Sequence, residues 1–156
     1  MTDDPDDAAA LARYASALAD AAEVAIPGWI ERSVQRVAAE QDLAVDPAAV
    51  AAVAREAQAD GAARLRTLLS ADIDAQPTNP LSVLRSLVRY PTDVLRAAGA
   101  RPVARDEFAE RNFPDDLYDL TPAAFADVDR ALHEPGLIWG AAKAHVHLAR
   151  RRRAQS

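Results

Sequence analysis

Residues 46–71 read DPAAVAAVAREAQADGAARLRTLLSA and carry the clearest helix signal in the chain. Asp46 can accept hydrogen bonds from the free N–H groups of a first helical turn, and Pro47 has the backbone angle that this turn needs. Alanine loses no side-chain entropy in a helix, so the alanine-rich remainder favours continuation to about residue 71. Gly61 lies near the apolar stripe of this helix. It either permits a close crossing with another helix or divides this one in two.

The same composition extends through the whole chain. Of its 156 residues, 38 are alanine and only 5 are glycine, while apolar types make up 50%. No stretch sustains the alternation of apolar and polar residues that is typical of a half-buried strand. We therefore expect an all-α protein, a single irregular bundle of five to seven helices with one long non-helical strap at about residues 101–121.

Proline and glycine predict the boundaries of these helices. We expect a disordered acidic lead over 1–7, one helical domain over 8–152 and a frayed basic tail over 153–156. Within the domain, 8–75 form a helical hairpin part and 79–152 a compact C-terminal part. The sequence predicts a break or a kink at Pro27-Gly28, and breaks at Tyr90-Pro91, after Gly99 and at Glu134-Pro135-Gly136. Predicted starts fall at Asn79-Pro80 and Thr121-Pro122, and the last helix spans about 136–152.

Several functional classes lack their usual residues. Cysteine is absent, there are three histidines and one lysine, and no phosphate-binding glycine loop or nucleophile elbow is present. We therefore identify no catalytic residue, no metal ligand and no cofactor, and a non-enzymatic role is favoured. The acidic start differs from a secretory signal, and no apolar run is long enough to span a membrane. These features predict a cytoplasmic protein.

The predicted strap is unusual because it combines aromatic, acidic and proline residues. Phe108, Phe113 and Tyr118 alternate with acidic residues that include Asp115 and Asp116. These side chains either anchor a structural strap across the bundle or form an exposed face that binds a partner, with Trp139 as a further contact.

The last helix carries two different sides when it is drawn at 100° per residue. One sector is basic and consists of Lys143, His147, Arg150 and Arg151, continued by Arg152 and Arg153 at its end. The opposite sector contains Ile138, Ala141, His145 and Leu148, and we expect it to face the core. A pair of histidines two residues apart points its rings in different directions, so His145 and His147 do not predict a metal site.

Three functional hypotheses follow. The leading one is a non-catalytic interaction or regulatory protein that binds a protein partner or itself through the strap and the basic sector. The second is a nucleic-acid-associated protein that uses the basic C-terminal helix, although residues 1–149 carry a net charge of −10 that opposes approach to phosphates. The third is a carboxylate- or metal-dependent enzyme of unknown reaction.

Four short segments between residues 79 and 149 carry a resemblance to other proteins. They are Asn79-Pro80-Leu81, Tyr90-Pro91-Thr92-Asp93-Val94-Leu95-Arg96, Phe113-Pro114-Asp115-Asp116 and His133-Glu134-Pro135-Gly136. In these segments the chain resembles a family of small uncharacterised actinobacterial proteins to which no activity is assigned. The resemblance implies a bacterial cytoplasmic origin, and it transfers no catalytic or binding residue.

Overall fold

A computed structural model of the chain describes residues 5–70, 79–103 and 116–156. These residues form helices joined by turns, and no strand occurs among them, so the prediction of an all-α helical bundle is confirmed. The α-helices are α1 (Pro5–Gln41), α2 (Pro47–Ser70), α3 (Leu81–Ser86), α4 (Arg89–Ala97), α5 (Phe125–Val128) and α6 (His133–Gln155), with a 3-10 turn at Arg130–Leu132. None of the helices in these ranges is both long and apolar enough to cross a membrane.

Helix α1 is a single helix of 37 residues, so of the two alternatives predicted at Pro27-Gly28, a break or a kink, the break is wrong. Proline removes one backbone hydrogen bond, which weakens a helix locally. Ile26, Trp29 and Ile30 flank this position and are buried in the core, so packing on both sides holds the helix together. Residues 5–7 of the predicted acidic lead lie in the first turn of α1, and residues 1–4 lie outside the described residues.

Helix α2 begins where the sequence predicts. The Asp46 carboxylate accepts a hydrogen bond from the Ala48 N–H at 3.0 Å, which caps the first turn. Helix α2 returns along α1, and the buried side chains of the two helices form the centre of the core. Gly61 lies inside α2 as a close-crossing residue, since a Cβ added there would lie 2.7 Å from Leu87 and 2.8 Å from Ile26.

Helices α3 and α4 cover the hairpin of α1 and α2. The Asn79 side chain accepts from the Leu81 N–H at 3.0 Å and starts α3 as predicted. The break between the two helices comes at Leu87 and Val88, before the predicted position at Tyr90-Pro91. Pro91 instead occupies the first turn of α4, where its missing N–H costs nothing. Gly99 ends α4 with a φ of +85°, as the sequence predicts.

The C-terminal part differs more from its prediction. Residues 101–103 and 116–124 are non-helical, which agrees with a strap, while residues 104–115 lie outside the described residues. The predicted break at Glu134-Pro135-Gly136 is wrong, because these residues form the first turn of α6. Helix α6 packs mainly along α1.

Candidate interaction surface

Two of the strap candidates have structural roles. Tyr118 is 1% exposed, and its hydroxyl donates a hydrogen bond to the Ala100 carbonyl at 3.0 Å. The Asp116 carboxylate is also buried, and its two oxygens accept from the backbone N–H groups of Leu120 and Thr121, each at 2.8 Å. These bonds fix the turn that precedes α5. The other three candidates, Phe108, Phe113 and Asp115, lie outside the described residues.

Arginines of α1 tie the same segment to the bundle. Arg32 donates to the Val128 carbonyl at 2.7 Å, and Arg36 donates to the Asp119 carbonyl at 3.1 Å. A cleft of about 380 Å³ lies between α1 and this segment, and both arginines line it. Because their guanidinium groups bind backbone carbonyls, they act as clamps that hold the segment on α1.

The residues of the predicted basic patch differ in exposure and point in different directions. Lys143 is half-buried, with its ammonium nitrogen 5.0 Å from the centroid of the half-buried Trp139 ring, a cation–π distance. Arg153 turns to α1, where it forms an ion pair of 3.5 Å with Asp7. His147, Arg151 and Arg152 are exposed, while Arg150 is half-buried. The residues therefore do not form one continuous basic face.

The rotation of α6 about its axis is the opposite of the predicted one. The sequence predicts that His145 faces the core, but its side chain is 74% exposed. Only Gly136 and Val146 of α6 are buried. Gly136 sets this rotation because a Cβ there would lie 2.5 Å from the Phe125 ring, so only a glycine lets α6 approach Phe125 this closely. The half-buried Trp139 and Lys143 follow on the same side.

As a result, an apolar surface on α6 faces solvent. Leu137 is 60% exposed, Leu148 is 53% exposed and Ile138 is 37% exposed, and Ala141 and Ala144 between them are exposed as well. We call these five residues the α6 face. Isolated exposed apolar residues are common, whereas a contiguous row of them on one helix is less usual on a protein surface.

A shallow groove runs beside the α6 face. It has a volume of about 370 Å³ and lies between α6 and the first turns of α1, with Ala10 and Tyr14 on one wall and Ile138 and Ala142 on the other. Tyr14 is 37% exposed and adds an aromatic side chain to the apolar surface. Asp7 and His145, whose carboxylate and Nε2 atoms are 3.8 Å apart, line the same groove.

A second polar cluster lies elsewhere, between α2 and α4. Asp60 accepts a hydrogen bond from the Tyr90 hydroxyl at 3.0 Å and forms ion pairs with Arg89 at 3.0 Å and Arg64 at 3.4 Å. Partial burial alone would raise the pKa of Asp60, but the Tyr90 hydrogen bond and the two guanidinium groups outweigh it and lower the pKa. The cluster fixes α4 on α2. No sequence signal points to it, because Asp60 and Tyr90 are 30 residues apart and follow no motif.

Within the described ranges, no three or more histidine, aspartate or glutamate side chains converge in a way that could hold a metal ion. Comparisons of the chain with protein-family models, with curated proteins and with solved structures found no match.

Proposed function

We propose that this protein is a non-catalytic interaction protein that binds another polypeptide through the α6 face. The observation that carries the proposal is the exposure of Leu137 and Leu148, which stand on one side of a helix whose opposite side already packs on the bundle. A fold needs only one apolar side on a surface helix. A second apolar side in solvent contributes nothing to the fold, and covering it with a partner lowers the free energy of the system.

The energetics favour a hydrophobic contact with a polar border. Leu137 and Leu148 are each more than half exposed to solvent, so covering each side chain contributes about 1–2 kcal/mol to the free energy of binding. Arg151 and Arg152 lie at one end of the face, and Glu134 at the other, all of them exposed. An apolar centre with charged residues around it is the usual composition of a protein–protein interface.

Compared with the strap, the α6 face is the better-supported docking surface. Tyr118 and Asp116 of the strap already make buried hydrogen bonds, so they are not available to a partner. The basic sector supports nucleic-acid binding less well, because Arg153 is paired with Asp7 and Lys143 lies over Trp139.

Site-specific photocrosslinking tests the proposal. A photoreactive amino acid at Ala144, in the centre of the α6 face, is expected to give covalent adducts with a polypeptide in the source cells. The matched control is the same residue at Ala63, an exposed alanine in the C-terminal half of α2. Adducts from Ala144 that disappear in a Leu137→Asp/Leu148→Asp background, with none from Ala63, support the proposal. Equal labelling from both positions, or none from Ala144, refutes it.

A further inference from the structure

The α6 face lies on a regular seam. Six exposed residues recur at alternating spacings of three and four along the helix: Glu134, Leu137, Ala141, Ala144, Leu148 and Arg151. This is the spacing of the a and d positions of a coiled coil, in which two helices bury one seam against another. We call these six residues the α6 seam. It extends over about 26 Å of helix at 1.5 Å per residue.

The α6 seam is self-complementary when two copies of it run antiparallel. It reads Glu, Leu, Ala, Ala, Leu, Arg. When two copies are placed antiparallel about a twofold axis between Ala141 and Ala144, Leu137 of each copy lies opposite Leu148 of the other. The two alanines also lie opposite each other. At both ends, Glu134 of one copy lies opposite Arg151 of the other.

The charges select this orientation over the parallel one. In a parallel pair, like residues face each other, so Glu134 would face a second Glu134 and Arg151 a second Arg151. Like charges at close range are unfavourable, whereas the antiparallel pair has two attractive contacts. The central alanines also favour pairing, because small side chains let two helix backbones approach closely.

Among the described residues, the bundle packs on the side of α6 that is opposite the seam. Val146, the buried residue in the middle of α6, is on the opposite side of the helix from Ala141 and Ala144, so α1 lies behind α6 relative to the seam. We propose that the protein forms an antiparallel homodimer in which the α6 seams of two copies pack against each other. This inference rests on the proposed function and names the partner of the α6 face as a second copy of the chain.

The dimer is expected to be weak. Six seam residues and their neighbours are fewer than the roughly 20–30 residues per side of a standard interface, so a micromolar Kd is expected. Sedimentation equilibrium of the full chain measures the Kd of the dimer. Protein concentrations from about 1 μM to 1 mM bracket the Kd values of weak complexes. A wild-type chain that stays monomeric over this range refutes the homodimer, and photocrosslinks from Ala144 to other proteins would then leave the proposed function standing.

Two charge reversals test the register. Glu134→Arg alone places arginine opposite arginine at both ends of the dimer, and Arg151→Glu alone places glutamate opposite glutamate. Each variant is therefore expected to dimerise about tenfold more weakly than the wild type. In an equimolar mixture, the two substituted positions face each other at one end with opposite charges, and the native Glu134 and Arg151 face each other at the other end. The mixture is therefore expected to form a heterodimer with close to wild-type affinity.

Matched controls are Glu56→Arg and Arg55→Glu, which make the same charge changes at exposed positions of α2. These are expected to leave the Kd unchanged. Dimerisation that is insensitive to the α6 reversals, or that is weakened by them but not restored by mixing, overturns the antiparallel register.

A second measurement does not depend on charge. The chain has no cysteine, so Ala141→Cys and Ala144→Cys each introduce a single thiol at an exposed alanine. Under mild oxidation, the mixed sample is expected to form a disulfide-linked dimer faster than either variant alone, because positions 141 and 144 lie opposite each other and disulfides need Cα atoms within about 7 Å. Equal rates in all three samples contradict the proposed pairing.

Discussion

Replacing Gly61 by alanine tests how closely α2 packs against its neighbours. A Cβ at this position would lie 2.7 Å from Leu87 Cδ1 and 2.8 Å from Ile26 Cδ1. Both side chains are fully buried, so neither can turn into solvent to make room. The added methyl group must therefore displace atoms in the centre of the core.

Two opposing terms set the size of the effect. Alanine is favoured over glycine inside a helix by about 1 kcal/mol. Overpacking a filled core costs about 1–3 kcal/mol. We expect Gly61→Ala to lower the free energy of unfolding by about 1 kcal/mol, which corresponds to about 2–4 °C in Tm for a chain of this size.

Gly140→Ala is the matched control. Gly140 lies in the interior of α6, and a Cβ there would have no neighbour within 4 Å. The same substitution should therefore show the helix preference alone and raise stability by about 1 kcal/mol. Urea unfolding of both variants, at protein concentrations low enough to avoid self-association, gives the two values.

The outcome that refutes the reasoning is a Gly61→Ala variant stabilised as much as Gly140→Ala. That result would mean that α2 does not approach Leu87 and Ile26 closely. A double-mutant cycle with Leu87→Ala identifies the contact, because removing the Leu87 side chain should lower the cost of Gly61→Ala while the close approach to Ile26 remains.

Two other contacts give predictions that unfolding experiments can check. Tyr118→Phe removes the buried hydrogen bond to the Ala100 carbonyl and should lower the free energy of unfolding in urea by about 1–2 kcal/mol. Tyr14→Phe, on the surface, should change the free energy of unfolding by less than about 0.5 kcal/mol. Equal losses of stability in the two variants would contradict the role of the Tyr118 hydroxyl. Partial burial raises the pKa of Asp60, but the Tyr90 hydroxyl and the neighbouring arginines outweigh it, so the folded pKa is the lower one. The stabilising effect of this carboxylate is therefore present above the unfolded pKa of about 3.9 and is lost as the pH falls through the folded value. The stability gap between wild type and Asp60→Asn should shrink below about pH 4 in urea titrations, and a constant gap between about pH 2 and 6 would contradict it.

Local chemistry predicted the helix ends that depend on one or two residues. Asp46 and Asn79 accept backbone hydrogen bonds at the starts of α2 and α3, and Gly99 takes the positive φ that ends α4. Such signals are reliable because the capping side chain and its acceptor or donor are within a few residues of each other. Alanine content predicted the all-α class for the same reason, since helix preference is a local property.

Breaks at proline were less predictable because packing can outweigh them. Pro27 lies between buried Ile26 and Trp29 in the middle of α1, and its neighbours supply more stability than one missing hydrogen bond removes. Pro135 lies in the first turn of α6, where the N–H that proline lacks would have no helical partner. A sequence shows the proline, whereas its cost depends on contacts with residues far along the chain.

Periodicity assigns the exposed surface of α6 to the core because periodicity does not determine how the helix is rotated about its axis. Helical periodicity locates Ile138, Ala141 and Leu148 correctly on one side of the helix, but it cannot say which side the bundle covers when both carry apolar residues. The decision depends on Gly136 and on the Phe125 ring that occupies the space beside it, and these two residues belong to different helices. Periodicity thus identifies the stripe, and tertiary packing decides its direction.

The fold of the monomer does not require the α6 face to be apolar. Leu137 and Leu148 have the size and spacing of core residues, yet the fold is held on the other side of α6 by Gly136 and Val146. Neither leucine needs to be apolar for the bundle to form, so substitution by a polar residue of good helix preference, such as glutamine, should leave the free energy of unfolding of the monomer almost unchanged. Loss of self-association in a Leu137→Gln/Leu148→Gln variant that keeps its monomer stability would show that these side chains serve binding alone. A variant that loses stability at concentrations where the wild type is monomeric would instead show that α6 packs on its leucine side, and both the α6 face and the α6 seam would then be wrong.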